Sequence, residues 1–257
     1  MLELYHGEPN GAALKALIVL HEKELPFTSR YLDLLEATPF DDRIEVAYNL
    51  EREAPILVHH GQPITETLFL SMYLDDAFPE RPLQSGDAVD LWSLLVWGRF
   101  CGEVLAPAVG TLGCKAHLVP TLAKRDRSAI EAAVGGLHTP ERRQAWLQAL
   151  NDSFSEEELA ESRRKAGVAV NRIEAALADS EWLSGPTFSL ADIEVFAYAD
   201  ALPLLVPDIA SPTAAPRLDA WLDRVRARPS VAKARAHSRT GAPQTAFVPG
   251  PEHSRWG

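Results

Sequence analysis

Cysteine is scarce in this chain: Cys101 and Cys114 are the two among 257 residues. So few thiols exclude a disulfide scaffold and a cysteine-built zinc site, and their spacing matches no redox or metal-binding pattern. Reduced thiols in a cytoplasm are the expectation, with both cysteines serving as packing residues. Basic residues are also in short supply, 25 Lys and Arg against 36 Asp and Glu, which leaves a formal net charge of −11. Binding a nucleic-acid backbone needs a basic face, so no nucleic-acid partner is expected. Long apolar runs are missing too. Stretches such as 16–20 and 104–109 are far too short to span a bilayer, and the first residues carry no basic-then-apolar leader pattern. No membrane partner is expected, and no spacing of histidines suits a metal.

What is present is an ordinary folding composition, 46% apolar and 24% charged, with chain enough for one large domain or two modest ones. Up to residue 78, short strand patterns alternate with helices. Residues 2–5 alternate as a strand; Leu14, Leu17, Ile18 and His21 share one face of a helix; residues 27–33 alternate again. Two further short strands flank His60-Gly61-Gln62, a hairpin signal. A helix over 66–78 then carries Phe69, Met72, Tyr73 and Asp76/Ala77 along one stripe. This order describes a small α/β domain with a mixed sheet, residues 1–80. Pro79 and Pro82 begin a connection, and from 87 to 238 nearly every segment has helical period. Ser189-Leu190-Ala191-Asp192 is a capping-box pattern. Residues 239–257, rich in Pro, Gly and Ala, read as an extended, loosely packed tail.

Three features of the first domain point to one end of its sheet. Ala54-Pro55-Ile56-Leu57 puts a proline at a strand entry, where it cannot donate to a ladder, and a cis bond there would turn the backbone of residue 54 toward a bound peptide. Thr65-Glu66-Thr67 opens a helix whose N-terminus can hold a small carboxylate, with Glu66 beside it for an ammonium. Tyr5 ends the first strand at the same end, where residues 9–13 lead into the first helix.

With Tyr73-Leu74-Asp75-Asp76-Ala77-Phe78-Pro79, Ser189-Leu190-Ala191-Asp192-Ile193 and Ala220-Trp221-Leu222-Asp223-Arg224, these features resemble the glutathione transferases. The length, the Pro140-Glu141…Trp146 stretch and Tyr5…Pro9…Leu14-Lys15 look most like the bacterial enzymes of that superfamily that cleave β-aryl ethers. The resemblance implies an α/β plus all-α fold: a thioredoxin-like N-terminal domain with a mixed sheet, and an all-helical C-terminal domain for substrate. It implies glutathione as co-substrate, bound by the backbone of Ala54, by Pro55 as the cis-proline with Ile56 following, and by Glu66 and Thr67 at the γ-glutamyl end. Asn49 matches the family's approach to that proline, whereas Leu50, Arg52 and Glu53 depart from it. Glu53 brings a negative charge beside an anionic peptide, for which Arg52 or Lys15 is the candidate counter-charge.

The thiol end departs further. A free thiol of pKa about 8.5 is a few per cent ionised at neutral pH, so the site must favour the anion. The ether-cleaving relatives carry polar side chains just before Leu-Lys, where this chain has Ala12 and Ala13. Candidate replacements are the Asn10 amide, the Tyr5 hydroxyl, His6 (read as exposed loop decoration) and the N–H groups of residues 11–13. His59 and His60 read as solvent-facing. For an aromatic substrate, Trp97, Phe100 and Trp146 are the candidate pocket residues. The expected reaction is glutathione-dependent cleavage of a β-aryl ether. The alternatives are another hydrophobic electrophile, a glutathione-dependent isomerase or lyase, or a subunit that has lost its catalytic group and relies on a paralogue. A homodimer, or a heterodimer with that paralogue, is implied.

Overall fold

Apolar side chains at Leu2 and Leu4 alternate with Glu3 and Tyr5 to form β1 (Leu2–His6), whose Leu2, Leu4 and His6 side chains are buried. The computed structural model describes residues 1–33, 54–137 and 140–249. β2 (Phe27–Tyr31) runs parallel to β1, with Phe27 beside Leu2 and Tyr31 beside His6. β3 (Ile56–His59) runs antiparallel on the other side, Leu57 opposite Leu4 and Ile56 opposite Tyr5. His60 and Gly61 both take positive φ, the backbone of a two-residue hairpin turn, and return the chain as β4 (Gln62–Ile64). The sheet order β2-β1-β3-β4 is mixed, as expected.

Between β1 and β2 runs α1 (Gly11–Glu22). Every residue from Ala13 to Leu20 is buried, Lys15 included. A helix covered on all sides is enclosed by the rest of the molecule, not laid on its surface. The one-faced pattern expected from Leu14, Leu17, Ile18 and His21 is therefore too narrow. α2 (Thr67–Ala77) follows β4, and here the buried stripe is Leu70, Ser71, Leu74 and Asp75. Phe69, expected to face inward, is 60% exposed, and Met72 and Tyr73 are half-buried. Asp75 explains the rotation: its carboxylate accepts from Lys23 Nζ (2.7 Å) and from the amides of Leu83 (2.8 Å) and Gln84 (3.0 Å). That set fixes the connection over 79–86.

The helical part starts at α3 (Ala88–Phe100), capped by Asp87. A wide π turn over Cys101–Leu105 joins it to α4 (Ala106–Gly113), and a second over Cys114–Leu118 leads to α5 (Val119–Leu122). Pro107 and Pro120, one residue into each following helix, lack the N–H that an α-helical ladder uses. Then come α6 (Arg127–Gly135), α7 (Pro140–Asn151), α8 (Glu156–Ala176), α9 (Leu190–Ala199), α10 (Leu202–Leu205), α11 (Pro207–Ala210), α12 (Pro216–Arg226) and α13 (Pro229–Arg235). The expected capping box opens α9: Ser189 Oγ accepts from the Ala191 amide, and Asp192 Oδ2 from the Ser189 amide (3.0 Å). Asp192 Oδ1 also accepts from the Leu183 amide and from Trp221 Nε1, so one buried carboxylate ties α9 to α12. α9 packs against α1, and Glu22 at the end of α1 accepts from Arg228 and Ser230 at the start of α13.

The described residues 239–249 differ from the loose tail expected over 239–257, whose last eight residues lie outside the described ones. The Glu8 carboxylate accepts from Ser238 Oγ (2.6 Å), the Arg239 amide (2.7 Å), and the amide and hydroxyl of Thr240 (3.1 and 3.0 Å). Phe247 is 8% exposed, seated against Gly113, where a Cβ would lie 2.2 Å from its ring. Two local anchors, invisible in a Pro- and Gly-rich composition, thus hold the segment down. Among the described residues no helix is long and apolar enough to cross a membrane.

Candidate active site

The strand register gathers the nominated glutathione residues at one end of the sheet. Ile56 opposes Tyr5 and Ile64 opposes Leu57, so β1 ends, β3 begins and β4 ends together. The Ala54–Pro55 bond just before β3 is cis, as the resemblance implied. The chain leaving β4 passes through Glu66 at φ +59°, a left-handed backbone that a glutamate rarely adopts and that surrounding structure must hold, at a cost of order 1–3 kcal/mol. The Glu66 side chain is exposed and caps nothing, so the first-turn amides of α2 have neither an intrahelical partner nor a side-chain cap. Thr67 begins α2, and its Oγ1 lies 3.4 Å from Lys15 Nζ on α1. Ala54, Pro55, Ile56, Glu66 and Thr67 therefore surround one sheet end. Lys15 itself is committed to Glu194 of α9 (2.5 Å), not left over as a counter-charge. Glu53, with Asn49, Leu50 and Arg52, lies outside the described residues.

At the start of α1, Asn10 is the N-cap. Its Oδ1 accepts from the Gly11 amide (3.1 Å), while its Nδ2 donates to the Ala246 carbonyl (3.2 Å). The amide nominated for a thiolate is thus present in the right loop and held by the C-terminal segment. Gly11 takes φ +50°, and a Cβ there would lie 3.1 Å from the Tyr198 ring of α9, so glycine alone suits both the backbone and the close approach. Ala12 and Ala13 occupy the first turn, where amide donors have no intrahelical carbonyl.

His6 is not loop decoration. It is fully buried, with Nδ1 2.7 Å from the Gly7 carbonyl and Nε2 2.8 Å from Ser29 Oγ, and burial lowers its pKa. Both ring nitrogens are engaged, which makes it a fixture of β1. Tyr5 sits on the opposite face of the strand from His6. His60 is exposed, whereas His59 is half-buried, its Nδ1 2.6 Å from the Tyr73 hydroxyl. Burial pushes the thiols of Cys101 and Cys114 up, Cys114 to about 12, so neither supplies a thiolate.

The aromatic nominees are core residues. Trp97, Phe100 and Trp146 are 6–7% exposed. Trp97 Nε1 donates to the Leu183 carbonyl (3.2 Å), and the Arg172 guanidinium covers the rings of Trp97 and Phe100 at 4.6 and 4.2 Å. The helical spacing of Trp97 and Phe100 marked the inner stripe of α3, while Trp146 is buried on α7. The aromatic ring that does reach the Asn10 loop is Tyr198, against Gly11; Phe247, next to the Ala246 that Asn10 binds, sets its ring on Gly113 and His117 (5.7 Å, 13° between planes). Phe247 lay in the supposed tail, and no sequence signal marked it. A surface cleft of about 460 Å³ lined by Glu141, Gln144, Gln148, Asn151 and Glu158 includes none of the nominated residues. Among the described residues no group of three His, Cys, Asp or Glu side chains is placed to hold a metal ion.

The family model for the glutathione S-transferase C-terminal domain matches residues 129–229. With that match, the geometry above, and a relative 32% identical over 236 residues, the chain belongs to the glutathione transferase superfamily. The relative is LigF of Sphingobium sp. (strain NBRC 103272 / SYK-6), the alignment covering 90% of this chain and 91% of LigF. The crystal structure of the β-etherase LigF from that strain matches with a TM-score of 0.83 at 31% identity, over 92% of this chain and 99% of LigF. A glutathione S-transferase from Methylobacterium radiotolerans, solved with glutathione sulfonate, shares the fold at 24% identity and a TM-score of 0.64, over 91% of this chain and 93% of that one.

The C-terminal segment is latched by groups that weaken in acid. Burial works against the Glu8 carboxylate, but its bonds from Ser238, Tyr31, Arg239 and Thr240 outweigh it and lower the pKa below the usual 4.5. Its contribution is full above that value and is lost as pH falls through the lowered one. His21 faces His237 at 3.1 Å, and burial, then the charges of His237 and Lys233, depress it from 6.5 to about 4. Its contribution is full above 6.5 and is lost as pH falls toward 4. Glu8→Gln should lower the amide-exchange protection of Arg239 and Thr240 about tenfold, for a loss of about 1.5 kcal/mol. Unchanged protection at both amides would remove Glu8 as the latch.

Proposed function

We propose that this chain is a glutathione-dependent transferase that cleaves β-aryl ether bonds in lignin-derived aromatic dimers. The observation that carries the glutathione half is the junction of the cis Ala54–Pro55 bond with the strained Glu66 and with Thr67 at the first turn of α2. Similarity to the β-etherase LigF over most of both chains supports the ether half. In this reading Ala54 pairs its backbone with the cysteinyl unit, Glu66 meets the ammonium of the γ-glutamyl group, and Thr67 with the α2 amides meets its carboxylate.

The thiol proton leaves to solvent, and the thiolate attacks the carbon that carries the aryl ether, beside a benzylic ketone. The C–S bond forms as the C–O bond breaks. The phenolate departs and takes a proton from water, so no strong general acid is required. Lowering the thiol pKa by two units takes about 2.7 kcal/mol of preference for the anion. Asn10 Nδ2, released from Ala246, and the first-turn amides of α1 are the donors at hand, and two hydrogen bonds to an anion at a helix N-terminus supply that much. Tyr198 and Phe247 then border the substrate side.

A second copy, or a paralogue, is the proposed partner of an exposed apolar face. Val89, Leu91, Trp92 and Leu95 of α3 are 41–66% exposed, and Phe69 of α2 is 60% exposed. Such a contiguous run on a helix marks an interaction surface.

Incubating the purified chain with glutathione and a β-aryl ether ketone dimer should release the phenol and a glutathione thioether in equal amounts. Asn10→Ala should cut kcat/KM at least tenfold. Silence alone with turnover on mixing with a paralogue would replace this reading with that of a partner-dependent subunit, which Ala12 and Ala13 also favour. In sedimentation, Trp92→Glu should convert a dimer to monomer; an unchanged sedimentation coefficient would move the interface elsewhere.

A further inference from the structure

The Lys15 ammonium has three donors, and the fold satisfies them from both domains. One points to Glu194 Oε1 at 2.5 Å, one to Thr67 Oγ1 at 3.4 Å, and the ring of Tyr198 lies 4.9 Å away. The Lys15 and Glu194 side chains are 5% and 6% exposed. Taking two such charges out of water costs several kcal/mol per ion, and an apolar pair of similar volume is commonly as stable or more so. Packing alone therefore gives little reason for this pair. Among the described residues, the hydrogen-bond partner of Lys15 beyond Glu194 is the Thr67 hydroxyl at the first turn of α2. Burial pulls the Lys15 pKa down, but the carboxylate of Glu194 outweighs it and holds the ammonium protonated.

We propose that Lys15 and Glu194 are positioning residues for Thr67, orienting its hydroxyl toward the α-carboxylate of the γ-glutamyl group. The ammonium occupies a lone pair of Thr67 Oγ1, which leaves the O–H to point away from Lys15 as a donor. The positive pole of the ion pair also stands one hydrogen bond behind the ligand's carboxylate, where the α2 N-terminus already favours an anion. Glu194 belongs to α9, so the helical domain takes part in recognising glutathione without touching it. This rests on the glutathione reading given above.

The test replaces both charges together, Lys15→Met with Glu194→Gln, so that neither is left buried and unpaired. Calorimetry then compares glutathione with 4-aminobutyryl-cysteinyl-glycine, which lacks the α-carboxylate. The double variant should bind glutathione about tenfold more weakly than wild type and bind the decarboxylated analogue equally well. Thr67→Val, which leaves the pair intact, should show the same selective loss, and adding it to the double variant should cost little more. An equal loss for both ligands, or no loss of glutathione, would overturn the positioning role while leaving the glutathione reading in place. A wild-type chain that binds neither ligand would overturn both.

Discussion

The Lys15–Glu194 ion pair joins α1 of the sheet domain to α9 of the helical domain in a region that water barely reaches. Around it α1 is covered on every side from Ala13 to Leu20, with Tyr198 pressed against Gly11 at one end and Arg228 bound to Glu22 at the other. The first turn of α1 is consequently set by both domains at once. So is Thr67, which the same lysine reaches. Wherever the two domains meet α1, they fix the spacing between the donors at its N-terminus and those at the N-terminus of α2. A binding site assembled this way is preorganised, which is where an enzyme that relies on thiolate activation and positioning needs its rigidity.

Much of this was legible in local chemistry. A Thr-Glu-Thr helix start and a Ser-x-x-Asp cap are short-range patterns that the α2 N-terminus and the α9 capping box follow, while the cis Ala54–Pro55 bond is what the family resemblance implied. What escaped depends on contacts distant in sequence. Apolar periodicity placed Trp97 and Phe100 on one face of α3 but could not tell core from cleft; Arg172 of α8 covers both rings, and the Leu183 carbonyl takes the Trp97 indole N–H. Phe69 looked like core because it is large and apolar, while Asp75, which turns α2 the other way, owes its burial to Lys23 fifty-two positions earlier. His6 and the residues after Ser238 were misread for the same reason: their partners, Ser29 and Glu8, are remote in the chain.

The C-terminal segment gives the site a second layer. It occupies the Asn10 amide through the Ala246 carbonyl and buries Phe247, which composition had placed in a loose tail. In the function proposed above, glutathione binding and this strap share one donor. In that proposal Ala12 and Ala13 leave the burden of stabilising the thiolate to Asn10 and to backbone amides that need no side chain.

That burden is open to direct measurement. The ultraviolet absorbance of glutathione thiolate, titrated against pH with saturating protein, reports the pKa of the bound thiol. The bound thiol should titrate about two units below the free value of about 8.5 and move back up in Asn10→Ala. A bound thiol that titrates at the free value in the wild-type chain would contradict that expectation.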